Sequence, residues 1–255
     1  MQQITSRKNP QLQHLKKLGA DRSYRAAVGG FLCDGPKLYQ EAVAADVEIT
    51  LLATSCRALA VEAACPVIFV PEDVLHSISP LKNPQPLLFA CNMPDNQPID
   101  DPKQVLVLDS IQDPGNMGTL LRSAVAFGID QVILVGDCVD IYNPKTVRGA
   151  MGALFRQRVC YMTVDEMAEY LDKHPLTLLG AALGEDAKPL GAPLPDRVAI
   201  AIGSEGQGLS RQVLERCHGT IKIPMEAQTE SLNAGVAGSI LLWELYRSRE
   251  GKIHG

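Results

Sequence analysis

The chain has 255 residues, 46% of them hydrophobic and 21% charged, enough for one large or two modest domains that each bury a core. Its seven cysteines contain no Cys-x-x-Cys pair and its five histidines are scattered, which leaves a disulfide scaffold, a zinc site or an iron site without support. The net charge of −5 excludes a uniformly basic nucleic-acid binder, because phosphate contacts need Lys and Arg.

At the N-terminus, MQQITSRKNPQLQ lacks an apolar secretory core, and no uncharged apolar run in the chain is long enough to span a bilayer. A cytoplasmic protein with reduced thiols and no membrane partner is expected. Residues 1–25 carry Arg7, Lys8, Lys16, Lys17, Arg22 and Arg25 against Asp21 alone, and a basic helix is predicted near 10–26. GFLCDGPKLYQEAVAA then reads as a short strand and a helix, ITLLATS as a strand, followed by a second helix, VIFVP as a strand, and a last helix near 72–78. That alternation predicts a small α/β domain over residues 1–93. MPDNQPIDDPK, with Pro94, Pro98 and Pro102 among Asp and Asn, has the chemistry of a linker, placed at 94–103.

A second domain is predicted over 104–255. Strands near 105–109, 132–135, 176–181, 198–202 and 221–223 alternate with helices, which argues for a parallel sheet covered on both faces. Asp113-Pro114-Gly115-Asn116 opens the helix after the first of these strands, and Arg122 lies six positions past Asn116. Read alone, Asn116 is a helix cap and Arg122 a solvated residue. From Ile141 to Val164 the chain has no acid, only Lys145, Arg148, Arg156 and Arg158. With the basic N-terminus this makes an RNA-facing side plausible.

Two later loops complete the pattern. Gly203 to Ser210 nearly spells a phosphate loop, but Leu209 stands where the lysine belongs and Glu205 puts a carboxylate where a triphosphate would lie. A nucleoside triphosphate is disfavoured, and a ligand without phosphates that approaches bare backbone is expected. Then IKIP leads through a polar loop to a helix that Ser231 is positioned to cap. Its small residues Ala234, Gly235, Ala237, Gly238 and Ser239 lower helix preference by up to about 1 kcal/mol at each Gly. A ligand, a partner subunit or another chain segment must approach that face.

Together the three loops resemble the signature motifs of the SpoU (TrmH-like) family of RNA ribose 2'-O-methyltransferases, within the SPOUT superfamily. The first appears as Asn116-Met117-Gly118 with Arg122 and Gly128, the second as Gly203-Ser204-Glu205-Gly206-Gln207-Gly208-Leu209, the third as Ile223-Pro224-Met225 with Ser231-Leu232-Asn233. Asn143-Pro144-Lys145 through Arg148 to Arg156 resembles the family's connector. Gly149-Ala150 and Ala234-Gly235 depart from the commoner Ala-Ser and Val-Ser pairs, away from the residues assigned to chemistry. The N-terminal domain resembles, less closely, the RNA substrate-binding domain of ribosomal-protein type that precedes the catalytic domain in many such enzymes, with Asp34 where Glu is commoner.

The resemblance implies an α/β SPOUT catalytic domain whose parallel sheet carries a trefoil knot, S-adenosylmethionine as cofactor, no metal, and a homodimer. It implies cofactor binding by Gly203, Gly208, Ile223, Met225 and Leu232, and catalysis by Arg122, Asn116, Glu205, Ser231 and Asn233. Arg122 either takes the 2'-hydroxyl proton or, since an arginine is a poor base, orients the ribose while phosphate or water takes it. Arg7, Lys8, Lys16, Lys17, Lys145 and Arg148 are the expected RNA contacts. Ribosomal RNA is the favoured substrate, with transfer RNA next and a non-catalytic RNA-binding relic as the alternative. A nicotinamide dehydrogenase ranks low, because Gly-x-Gly-x-x-Gly does not follow the first strand of the second domain.

Overall fold

The basic helix expected over 10–26 is two helices, because Asp21 ends one and starts the next. α1 (Pro10–Ala20) is capped by Asn9 and begins on a proline, whose fixed φ suits the first helical position. The Asp21 side chain then accepts the Tyr24 backbone N–H and caps α2 (Arg22–Val28). Leu12, Leu15 and Leu18 form the buried stripe of α1, while Lys16 and Lys17 stay exposed.

The structure is a computed structural model that describes residues 2–184, 186–226, 228 and 231–253. Its first sheet combines β1 (Gln2–Gln3), β2 (Gly30–Asp34), β3 (Ile49–Thr54), β4 (Val67–Phe69) and β5 (Leu87–Asn92) in the order β1-β4-β3-β5-β2. Between the strands lie α3 (Pro36–Ala44), α4 (Arg57–Glu62) and α5 (Glu72–Ile78). β5 runs antiparallel to both neighbours and buries five of its six residues. The sequence reading had no strand there, since LLFACN directly follows the turn-rich KNPQP. One face of the sheet packs under α1 and α5 through Leu32, Leu51, Ile68 and Leu88.

Downstream the order is β6 (Gln104–Asp109), α6 (Pro114–Ala126), β7 (Gln131–Val135), α7 (Pro144–Ala150), a 3-10 turn, β8 (Val159–Tyr161), α8 (Val164–Lys173), β9 (Thr177–Ala181), β10 (Lys188–Pro189), β11 (Val198–Gly203), α9 (Arg211–Leu214), β12 (Gly219–Lys222) and α10 (Ala234–Ile253). The seven strands form one sheet in the order β10-β12-β9-β11-β6-β7-β8, parallel at every pairing. β6, β7 and β11 are buried along their whole lengths, as strands covered on both faces are. β8 and β10, three and two residues long, are too short to leave a pattern in the sequence.

The described residues divide into two units: residues up to Pro94 together with Asp140–Phe155, and Asp95–Val139 together with Arg156 onward. The segment Asp140–Phe155, placed by the sequence reading in the second domain, is thus built into the first unit. Two side-chain sets explain this. The Phe31 ring lies 4.8 Å from that of Tyr142 and 6.2 Å from that of Phe155. Arg25, 4% exposed, donates to the Asp140 carboxylate at 2.5 and 3.1 Å and to the Leu18 carbonyl at 2.7 Å. The proline-rich stretch expected to be a linker is tied down within the second unit. Ile99 N–H donates to Gln131, the Tyr170 hydroxyl donates to the Ile99 carbonyl, and Arg197 reaches Asp101 and the Pro102 carbonyl.

Candidate active site

α6 starts where the sequence placed it, with a different residue as cap. The Asp113 carboxylate accepts the Asn116 backbone N–H at 2.8 Å, and Pro114 takes the first helical position. This frees the Asn116 side chain, which is buried and donates through Nδ2 to the Glu205 carboxylate in the loop after β11. At the start of α10 the cap is Asn233, whose Oδ1 accepts the Val236 N–H at 3.2 Å, and Ser231 lies outside the helix. A methyl group built on Gly235 would stand 3.2 Å from both Asn116 Oδ1 and Asn233 Oδ1. The three loops therefore converge on Asn116, with Glu205 on one side and the head of α10 on the other.

A pocket of about 240 Å³ opens at the carboxyl ends of β9, β11 and β12, the place where parallel α/β sheets bind ligands. Gly203, Glu205, Gly208, Ile223, Met225, Ser231 and Leu232 line it, so all five expected cofactor positions and two of the expected catalytic ones are gathered there. Ile202, Ala237 and Leu241 add apolar wall. The sequence reading missed Ala181, Ala182 and Leu183 at the end of β9, and Lys222 at the end of β12. Their strand-end positions were the available signal, but only the observed strand order makes β9 and β12 neighbours of the β11 loop.

Two of the glycines have other duties than admitting a ligand. Ser204 and Gly208 exchange backbone hydrogen bonds at 2.9 and 3.1 Å, closing a tight loop that folds back over Gly203. A Cβ on Gly203 would lie 2.0 to 2.2 Å from the backbone of Gly208 and Leu209, so that position needs glycine to close the loop. Gly208 has φ +68°, a left-handed conformation that glycine adopts without strain. Leu209 is buried in the core on the α8 side of the sheet, which accounts for an apolar residue where a phosphate loop carries lysine. Ser210 caps α9, and its N–H donates at 2.7 Å to the buried Asp109 carboxylate.

Arg122 is not among these groups. It is exposed, makes no hydrogen bond or ion pair with any described residue, and lies about 120° around α6 from Asn116 at 100° per residue. The small-residue face of α10 is also spent inside the chain. A Cβ on Gly238 would meet Leu120 at 2.2 Å and Ile202 at 2.7 Å, and Ser239 hydrogen-bonds Ser123 of α6 at 2.7 Å. The close approach that offsets the two glycines comes from α6 and β11, which removes this face as an argument for a partner subunit. Of the expected RNA contacts, Arg7, Lys8, Lys16, Lys17, Lys145 and Arg148 are all exposed and all belong to the first unit. Arg7 pairs with Asp73 at 3.2 Å and Lys17 sits over the Tyr24 ring. Among the described residues no cluster of three metal-binding side chains occurs, and no helix is long and apolar enough to cross a membrane.

An all-parallel sheet with a pocket and a lysine-free glycine loop at its strand ends defines an α/β ligand-binding domain whose loop does not suit a triphosphate. The chain belongs to the SpoU rRNA methylase family: that family's model matches residues 103–243, and the model of the MRM3-like substrate binding domain matches residues 4–89. It is 31% identical over 248 residues to the 23S rRNA (guanosine(2553)-2'-O)-methyltransferase RlmP of Bacillus subtilis, covering 96% of this chain and 99% of the relative. The AdoMet-bound rRNA methyltransferase of Sinorhizobium meliloti superposes with a TM-score of 0.84 at 25% identity, covering 96% of this chain and 97% of that one. The SpoU methyltransferase AviRb of Streptomyces viridochromogenes, in complex with AdoMet, gives 0.85 at 26% identity over 95% of this chain and 98% of that one.

Proposed function

We propose that the protein methylates ribose 2'-hydroxyls of ribosomal RNA, with S-adenosylmethionine held in the pocket at the ends of β9, β11 and β12. The observation that carries this reading is the Asn116–Glu205 pair, which links the first motif helix to the pocket rim. The lining fits the cofactor. Ile202, Ile223 and Leu241 offer apolar surface to an adenine ring, and the irregular backbone at 223–226 and 231–233 offers peptide groups to its hydrogen-bonding edge. Glu205 supplies negative charge, and its glycine loop has Leu209 where a phosphate loop carries lysine.

The bound cofactor supplies an electrophilic methyl on a sulfonium, already a good leaving group. What remains for the protein is alignment and removal of one proton. Asn116 holds Glu205 in place, Ser231 on the pocket wall positions the ribose, and Asn233, two residues on, fixes the head of α10 beside it. Arg122 acts on the hydroxyl and the adjoining phosphate, and because it lies away from its own pocket it serves the site of a second subunit. The exposed Val236 and Trp243 of α10, 48% and 49% accessible, with exposed Arg122 on the neighbouring helix, supply the face for that homodimer. The family assignment, with β11 inserted between β6 and β9 and β12 beyond β9, supports a C-terminal segment threaded as a trefoil knot. Arg7, Lys8, Lys16, Lys17, Lys145 and Arg148 contact the RNA backbone, and the enzyme works in the cytoplasm.

The test is mapping of 2'-O-methyl sites in cellular RNA with and without the protein, followed by methylation of the affected RNA in vitro with labelled cofactor. One ribosomal position that loses its methyl group and regains it in vitro is the expected result. A change confined to transfer RNA would move the assignment to that substrate, and no change in any RNA would sink the enzyme reading.

A further inference from the structure

Lys222 is the only cation and Glu205 the only anion among the described residues lining the pocket. The two charges differ in their surroundings. Glu205 is engaged by Asn116, whereas the Lys222 ammonium has no acid paired with it among the described residues. Its backbone is fixed: Lys222 pairs with Pro189 of β10, and its carbonyl accepts the Leu190 N–H at 3.1 Å. It ends β12, one residue after the buried Ile221, and is itself half-buried. A half-buried ammonium with no counter-ion among the described residues, on the wall of an otherwise mostly apolar pocket, calls for an anion from the ligand. A nucleoside sulfonium amino acid carries one anionic group, the carboxylate of its amino-acid tail.

We propose that Lys222 pairs with that carboxylate and so selects cofactors that keep the amino-acid tail. The inference rests on the cofactor reading above. It divides the pocket by function: apolar walls and loop backbone take the nucleoside, Lys222 takes the tail, and Glu205 faces the cationic centre between them. Sequence alone did not single out Lys222, because nothing in TIKIPM marks its lysine as a pocket residue.

Calorimetric titration of wild-type protein and Lys222→Gln with two probes tests this. S-adenosylhomocysteine has the amino-acid tail, and 5'-methylthioadenosine has the nucleoside and sulfur without it. Lys222→Gln is expected to weaken S-adenosylhomocysteine about fivefold, near the upper end for a partly exposed ion pair, and to leave 5'-methylthioadenosine unchanged. Added salt should shrink the difference, and Lys222→Arg should restore most of it. Equal losses for both probes would make Lys222 a wall residue and overturn the proposal, as would no loss for either, or weaker RNA binding with cofactor affinity intact. Wild-type protein that binds neither probe would sink the cofactor reading itself, a result distinct from any of these.

Discussion

Asn116 and Arg122 sit on one helix and face different tasks. Asn116 is buried and committed to Glu205, while Arg122 is exposed and uncommitted. An exposed arginine retains its full rotamer freedom, so holding it at a reacting hydroxyl requires a phosphate or a second subunit to receive it. Arg122→Ala is therefore expected to lower the single-turnover methylation rate on bound RNA by on the order of a hundredfold, with the affinity for S-adenosylhomocysteine unchanged. An intact bound-state rate with weaker RNA binding would reduce Arg122 to a phosphate clamp. Cysteine offers no rival nucleophile near this chemistry. Burial pushes the thiols of Cys138 and Cys217 up to about 11 and that of Cys160 up to about 12, so all three stay protonated and unreactive at neutral pH.

Among the elements, α10 shows how packing outweighs local preference. Gly235 and Gly238 weaken the helix by about 1 kcal/mol each, yet they let α6 and the end of β11 approach its axis. Gly238→Ala sets these effects against each other. The new methyl group gains about 1 kcal/mol of helix preference but meets Leu120 at 2.2 Å and Ile202 at 2.7 Å, and overpacking of this kind costs about 1–3 kcal/mol. The expected outcome is a net loss of about 1 kcal/mol, read as a lower urea midpoint with an unchanged slope. A stabilised variant would mean that Leu120 and Ile202 have room to move aside. The motif helices were legible because their caps and glycines are local signals: Asp113-Pro114 announces α6 whichever residue proves to be the cap. β5 was illegible because its partners are remote: it is a strand by virtue of pairing with β2 and β3.

For the whole molecule the open consequence is a shared site. A single chain presents the pocket and Asn116 together and leaves Arg122 outside them. Static light scattering at micromolar concentration is expected to give a dimer. Trp243→Glu, which places a charge on the exposed stripe of α10, should shift it toward monomer. That monomer should keep its affinity for S-adenosylhomocysteine and lose methylation, since each pocket would lack its partner's arginine. Full activity in a clean monomer would refute the shared site. The chain's division into units also bears on RNA binding: with Asp140–Phe155 in the first unit, Lys145 and Arg148 join the N-terminal basic residues there, although in sequence they lie among the methyltransferase motifs.

The sequence by itself determined the family, the parallel sheet, the missing phosphate-loop lysine and the three motif loops. Each of these is written in contiguous residues: an apolar run, a turn, a glycine or a missing lysine. Tertiary structure alone decided that Asn116 bonds Glu205, that Gly203 is glycine because its own loop folds over it, and that the small face of α10 is filled from within. It also decided that Lys222 stands on the pocket wall and that residues 140–155 belong with a core formed a hundred residues earlier. Those outcomes depend on which distant segments become neighbours, and strand order in a parallel sheet is set by crossover packing that no local pattern records.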